Sequence, residues 1–273
     1  MLQQLYSRLR PAAHDDEPDG GLQMDLQRLI TQSNRRNALR MVSLGGAALA
    51  MSGTARAACS LIPQETAGPY PGDGSNSVNG QIANALMLSG IQRHDIRTSI
   101  GSASGTAPGL PMTIRLNVVN TASSCARLSG YAVYLWHCTR DGLYSMYSQG
   151  VQGENYLRGL QTTDEDGIVS FKTIFPGCYA GRMPHIHFEV YRNANTATQF
   201  SNALRTSQIA FPVAICQRIY ANTDGYSASV NNLAQMSFAT DNVFSDGYAT
   251  QLATVGSTVT TGVTATLQVG ISG

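Results

Sequence analysis

His185 and His187 stand two residues apart, leading into Phe188, Glu189, Val190 and Tyr191, a run rich in strand-forming side chains. On a strand, positions i and i+2 project to one face, so both imidazoles reach the same point in space. Neutral imidazole is the commonest protein ligand for a transition metal. Tyr179 lies six residues before His185, across an Ala-Gly-Arg-Met-Pro connection that bends the chain, so its phenol can face that point as well. An isolated His-x-His is more often a surface pair. What gives this one weight is the company of tyrosines and of Arg182 in one short segment.

The motifs around this segment come in a definite order. Gly-Leu-Tyr (142–144) follows a strand that ends near Trp136. Then come Leu-Arg-Gly (157–159), Asp-Gly (166–167), Pro-Gly-Cys-Tyr-Ala-Gly-Arg (176–182) and His-Ile-His (185–187). Pro-Gln-Glu-Thr-Ala-Gly-Pro-Tyr (63–70) stands upstream, and Phe-Ser-Asp-Gly (244–247) downstream. Together these resemble the intradiol ring-cleavage dioxygenases, non-haem iron(III) enzymes of the catechol and protocatechuate dioxygenase type, over roughly residues 60–250. The combination is specific although each piece alone is not.

The resemblance implies Fe(3+) held by Tyr144, Tyr179, His185 and His187, with solvent as a fifth ligand. Phenolate oxygen, hard and anionic, suits a trivalent ion. Tyr147, three residues after Tyr144, competes for the first tyrosine position. A catecholic substrate and O₂ are the implied partners, and the ring is cut between its two oxygen-bearing carbons to give a muconate-type diacid. Tyr179 is the ligand expected to yield to substrate, and as a departing phenolate it can accept a substrate proton. Arg182 matches the family's active-site arginine, placed to stabilise developing negative charge. Pro69 and Tyr70 resemble the loop bordering the substrate pocket. For a glutamine lining the O₂ side, Gln208 is favoured over Gln199, because Ile209-Ala-Phe-Pro continues from it as a strand.

The elements that must position these groups read as β. Ile114, Leu116 and Val118 alternate with Thr113, Arg115 and Asn117, the period of a half-buried strand. Tyr131 to Cys138 is more uniformly apolar and predicts a strand buried on both faces. Asp166-Gly167 between residues 156–163 and 168–174 predicts a hairpin, with Asp164, Glu165 and Asp166 as turn residues. The Gly/Ser/Asn-rich segments 72–80 and 101–109 read as loops. Residues 211–235 have room for one or two short helices, and the Thr/Val-rich stretch 255–271 closes the domain as strands. The expected fold is all-β: an antiparallel β-sandwich with long active-site loops and short helices, spanning 58–273.

Residues 1–57 read separately, as an N-terminal extension and twin-arginine signal peptide. Arg35-Arg36 precede an apolar run, Met41 to Ser52, and Ala55-Arg56-Ala57 offers a cleavage position after Ala57. The run is too short for a permanent membrane span, and Arg56 stands where a lipoprotein signal wants Leu, so no permanent membrane anchor is expected. Export to the periplasm or beyond follows. Met24 competes with Met1 as the start. Beyond Ala57 the chain carries 11 basic and 12 acidic residues, a balance that calls for no nucleic acid. Of the five cysteines, Cys59, Cys125, Cys138, Cys178 and Cys216, an oxidising compartment can pair two or four, and Cys138 and Cys178 read as buried thiols. His14, His94 and His137 have no partner at ligand spacing. The pattern leaves a homo-oligomer open, and it leaves a second function class: a non-catalytic periplasmic β-sandwich that holds a metal or a phenolic. A third, a copper or zinc protein using only His-x-His, would not depend on the tyrosines.

Overall fold

Alternation builds the first long strand. Ile114, Leu116 and Val118 are buried, Arg115 is exposed, and Thr113 and Asn117 lie between. This strand, β3 (Pro111–Asn120), is one of eleven in the computed structural model, which describes residues 59–258 and 262–273. The arginine pair, the apolar run after it, the cleavage position, His14 and the choice between Met1 and Met24 all fall outside those residues.

The other strands are β1 (Asp73–Val78), β2 (Gln81–Asn84), β4 (Ala126–Arg127), β5 (Ala132–Trp136), β6 (Arg158–Thr162), β7 (Ile168–Ile174), β8 (His185–Tyr191), β9 (Ala203–Ala210), β10 (Thr254–Thr258) and β11 (Gly262–Ile271). One sheet runs β10-β11-β3, with β7 and β4 pairing along the other edge of β3. The second runs β6-β5-β8-β9 and is antiparallel throughout. Ile114, Leu116 and Phe171 of the first sheet share one core with Val133, Leu135, Phe188 and Val190 of the second. That is a β-sandwich, as expected. One pairing departs from the antiparallel expectation: β11 runs parallel to β3 from Val263↔Met112 to Ile271↔Asn120. A strand that arrives after a long excursion is free of the hairpin constraint that forces neighbours antiparallel.

The second sheet is buried on both faces. All five residues of β5 and all seven of β8 are buried. Their odd and even positions feed two different cores, the sandwich interior and a smaller cluster of Ala132, Tyr134, Trp136, Leu160 and Tyr191 under the loops. The site lies on this second, loop-covered face.

Two local expectations change. Residues 72–80 are no plain loop: β1 and β2 form a two-stranded hairpin closed by Asn79-Gly80, both at positive φ (52° and 79°). Asn-Gly is the turn pair that tolerates this conformation, and polar composition masked it. Conversely, Asp166-Gly167 turns the chain but closes no hairpin. Asp164 Oδ1 accepts from the Asp166 and Ile168 amides, and β6 and β7 then diverge into different sheets. Turn chemistry sets the local reversal and does not choose the strand's partner.

Two short helices follow β9. In α1 (Val213–Asn222) Ile215, Cys216, Ile219 and Tyr220 face inward, and in α2 (Ser227–Ala234) Ser229 and Leu233 do. Among the described residues no helix is long and apolar enough to cross a membrane. Cys59 and Cys125 form a disulfide, while Cys138, Cys178 and Cys216 are buried free thiols.

His137 stitches the two sheets. It follows β5, its Nδ1–H donates to the Cys138 carbonyl (2.7 Å), and its Nε2 accepts from Thr173 Oγ1 on β7 (2.6 Å). Burial pushes its pKa down to about 4. The unfolded chain binds this proton near pH 6.5, so the stability from neutral His137 is whole above that pH and is lost as pH falls towards 4. A shift of this size corresponds to about 3 kcal/mol. Urea unfolding at pH 7 and pH 4 should show a smaller loss in His137→Gln than in the parent.

Candidate active site

Strand register decides what shares the loop-covered face. Trp136 on β5 lies opposite His187 on β8, His187 lies opposite Gln208 on β9, and Trp136 lies opposite Arg158 on β6. One row across four strands therefore reads Arg158, Trp136, His187, Gln208. His185 and Glu189 sit two residues either side of His187 on the same face. The His187 ring stacks on Trp136, centroids 4.9 Å apart and planes within 6°, which fixes the imidazole plane.

The two tyrosines come from loops. Tyr144 (2% exposed) lies beyond β5, where Thr139 Oγ1 accepts from the Asp141 and Leu143 amides and Ser148 Oγ from the Tyr144 amide. Gly142 is required here: its φ is +82°, and a Cβ would come within 2.9 Å of Tyr179 Cβ. The segment carrying Tyr179 is held by the helices. Ser229 Oγ accepts from the Cys178 amide (2.9 Å), Asn232 Nδ2 donates to the Cys178 carbonyl (2.7 Å), and Tyr220 and Tyr226 donate to Pro176 and Phe175. Tyr179 itself is half-buried.

These four side chains converge. Tyr144 Oη stands 3.5 Å from Tyr179 Oη and 3.4 Å from both His185 Nε2 and His187 Nε2. Tyr179 Oη is 3.2 Å from His185 Nε2, and the two imidazole Nε2 atoms are 3.0 Å apart. Donors bound at ~2.1 Å to one ion, at angles of ~90–120°, stand ~3.0–3.6 Å from each other, so the cluster has the spacing of a coordination shell. Tautomer chemistry agrees. Met183 O can only accept, so the 2.6 Å contact places the proton on His185 Nδ1 and leaves the Nε2 lone pair facing the cluster. Burial, then the Arg182 charge, pushes His185 down to about 3, and burial with the His185 charge takes His187 well below its usual range. Both are neutral and able to bind a metal. Burial also raises Tyr144 well above its ordinary value and Tyr179 to about 12, so these phenols ionise only beside a compensating cation. Among the described residues no three His, Cys, Asp or Glu gather as a metal group; a donor set here necessarily includes the phenols.

The other expected residues fall around this cluster. The Tyr70 ring, 38% exposed, lies 5.0 Å from that of Tyr144, with exposed Pro69 beside it. Gln208 is fully buried, its Oε1 accepting from Arg182 Nη2 (2.7 Å) and its Nε2 donating to Thr66 O (2.9 Å), whereas Gln199 is exposed before a 3₁₀ turn. Tyr147 is not in the cluster. Its hydroxyl accepts from the Gly72 amide (2.7 Å) and donates to Asn76 Oδ1 (2.8 Å).

Two residues of this region were given no role by the sequence reading. Arg158 is buried with no carboxylate in contact. Its donors reach Ser145 Oγ and O, Tyr70 O, Pro71 O and Tyr134 Oη, tying the Tyr70 loop to the Tyr144 loop. Two non-glycine residues beside it stand at positive φ, Met146 (71°) on the Tyr144 loop and Leu157 (57°) just before β6, a strain of about 1–3 kcal/mol each that the surrounding packing sustains. Its sequence signal was its place in the Leu-Arg-Gly motif (157–159), which carried no role. The second is Asp241, whose Oδ2 accepts from Arg182 Nε (3.0 Å); nothing in its local sequence marks it.

Comparison with known proteins agrees. The family model described as "Dioxygenase" matches residues 90–265. The chain belongs to the intradiol ring-cleavage dioxygenases. Among solved structures, this dioxygenase is similar to an intradiol ring-cleavage dioxygenase from Tetranychus urticae, at 25% identity and TM-score 0.57, covering 78% of this chain and 94% of the other. A second dioxygenase crystal structure aligns at 24% identity and TM-score 0.58 over the same shares, a likeness of fold. A search of curated proteins gives no match.

Tyr144→Phe should weaken metal retention by this dioxygenase at least about tenfold, with Tyr147→Phe within twofold of the parent. Metal content after dialysis against a chelator measures both.

Proposed function

We propose that this dioxygenase holds one iron(III) ion between Tyr144, Tyr179, His185 and His187 and opens a catecholic ring between its two oxygen-bearing carbons. Both atoms of O₂ enter the product, a muconate-type diacid. The observation that carries this reading is the convergence of two phenol oxygens and two neutral imidazole nitrogens, with five mutual distances between 3.0 and 3.5 Å. When bound, the ion supplies a positive centre that lowers the acidity barrier of a catechol and couples it to O₂. The phenols argue for a hard trivalent ion and against a copper or zinc site built from histidines alone.

The protein's own groups then divide the work. Tyr179, half-buried where Tyr144 is closed off, is the phenol able to move, and its Oη accepts the proton of a substrate hydroxyl. Tyr70 offers a ring edge at the mouth, and Gly68 brings the covering loop against His187, a Cβ there lying 3.4 Å from His187 Cε1. Arg182 spends Nε on Asp241 and Nη2 on Gln208. Its Nη1 makes no hydrogen bond among the described residues, which leaves it for negative charge developing on the substrate. Export by the twin-arginine route belongs to the same proposal. A disulfide between Cys59 and Cys125 suits an oxidising compartment.

The purified protein should contain about one iron per chain and be red-brown from phenolate-to-iron charge transfer. Catechol or protocatechuate added under nitrogen should shift the band, and admitting air should consume O₂. Stoichiometric zinc or copper with no visible band would refute the iron assignment, and a colour that shifts with catechol but consumes no O₂ would leave a binding protein. Arg182→Lys should keep iron, colour and anaerobic catechol binding while kcat falls about a hundredfold, roughly 3 kcal/mol of barrier. Stopped-flow mixing with O₂ separates the two steps.

A further inference from the structure

Asp241 is 0% exposed, a carboxylate taken wholly out of water. Such a group persists only where donors replace its hydration. Here they divide between its two oxygens. Oδ1 accepts from the Val243 amide (2.9 Å) and the Phe244 amide (3.1 Å), closing the turn that begins at Phe244. Oδ2 accepts from Arg182 Nε (3.0 Å) and the Met183 amide (2.7 Å). One oxygen thus serves the local turn and the other reaches 59 residues back to the site.

We propose that Asp241 is a positioning residue of this dioxygenase, fixing the plane and direction of the Arg182 guanidinium, a role that rests on the reading of the site given above. The guanidinium is held along one edge and against one face. Asp241 holds Nε, Gln208 Oε1 holds Nη2 while its own Nε2 is tied to Thr66 O, and the Phe244 ring lies 5.8 Å from Arg182 Cζ. Asp241 sets two of these, directly through Oδ2 and by capping the turn that carries Phe244. Its hold on the Met183 amide fixes the backbone on which Arg182 stands. Burial alone would push the Asp241 carboxyl up, yet the Met183 amide, Arg182 and the Val243 amide together hold it below the usual carboxylate range, so it remains an anion and an acceptor. A guanidinium free to rotate about its stem would still carry its charge but would lose the direction of Nη1. The loss would therefore fall on turnover rather than on substrate affinity.

The test is a double-mutant cycle in the full chain. Asp241→Asn keeps an oxygen for the Val243 and Phe244 amides and places an amide NH₂, itself a donor, against Arg182 Nε–H. Arg182→Met removes the group to be oriented. We expect Asp241→Asn to retain iron, the visible band and anaerobic catechol affinity within about threefold, while kcat falls about 30-fold. Added to Arg182→Met, it should lower kcat by less than about twofold more. Urea unfolding of the metal-free proteins should show the same coupling, independent of turnover. The proposal is overturned by a kcat near the parent's, by a loss that multiplies in full with Arg182→Met, or by loss of iron in Asp241→Asn, which would make the residue a support of the metal-holding turn. A parent protein with neither iron band nor O₂ consumption would defeat the reading of the site itself, an outcome distinct from an active parent in which Asp241 and Arg182 are uncoupled.

Discussion

The register of β8 is the constraint on which the rest of the site depends. Its seven residues are all buried, with Ile186, Phe188 and Val190 in the sandwich core and His185, His187 and Glu189 under the loops. A slip of one residue would exchange these sets and drive two imidazoles and a carboxyl into an apolar interior. Burying unpaired polar groups costs several kcal/mol each, so the core enforces the register and the register aims the two imidazoles. Glu189 shows how tight the arrangement is. Burial pushes its carboxyl up to about 8, while Tyr191 donates to its Oε2 at 2.6 Å.

From that row, positioning spreads outward through groups with few ways to move. Trp136 fixes the plane of His187 by stacking, and Met183 O fixes the tautomer of His185. Around Arg158 the carbonyls of the Tyr70 and Tyr144 loops gather on one buried cation, so the two loops are placed together. Helix α2 holds the other side, bonding both the amide and the carbonyl of Cys178 beside Tyr179. A four-donor cluster assembled from one strand and two separate loops needs all of these supports, because no loop fixes a side chain within a few tenths of an ångström unaided.

Like groups at the site are buried unequally. Tyr144 and Tyr179 are the same side chain 3.5 Å apart, yet one is enclosed and the other half-buried. In the proposed reading the enclosed phenol stays a donor, and the accessible one is suited to give way. Arg158 and Arg182 divide similarly. The first is saturated by carbonyls and ties loops together, while the second is held by Asp241 and Gln208 at one edge only.

Much of this was legible in the chain. The i, i+2 spacing of His185 and His187 in a β-rich run and the alternation of Ile114, Leu116 and Val118 marked a β fold and two imidazoles on one face, because strand periodicity and short-range spacing are local properties; the tyrosine donors were implied only by the resemblance that the ordered motifs from Gly142 to His187 carry. Which tyrosine of the 144/147 pair joins the cluster, which glutamine faces Arg182, that β11 runs parallel to β3, and that Asp166-Gly167 bridges two sheets were decided only in three dimensions. So were the roles of Arg158 and Asp241. Each of these depends on a partner far along the sequence: Tyr147 on Gly72 and Asn76, Gln208 on Thr66, Asp241 on Arg182. A carboxylate's own neighbours can mark it as a turn cap, but only the folded chain shows that its second oxygen reaches an arginine 59 residues away.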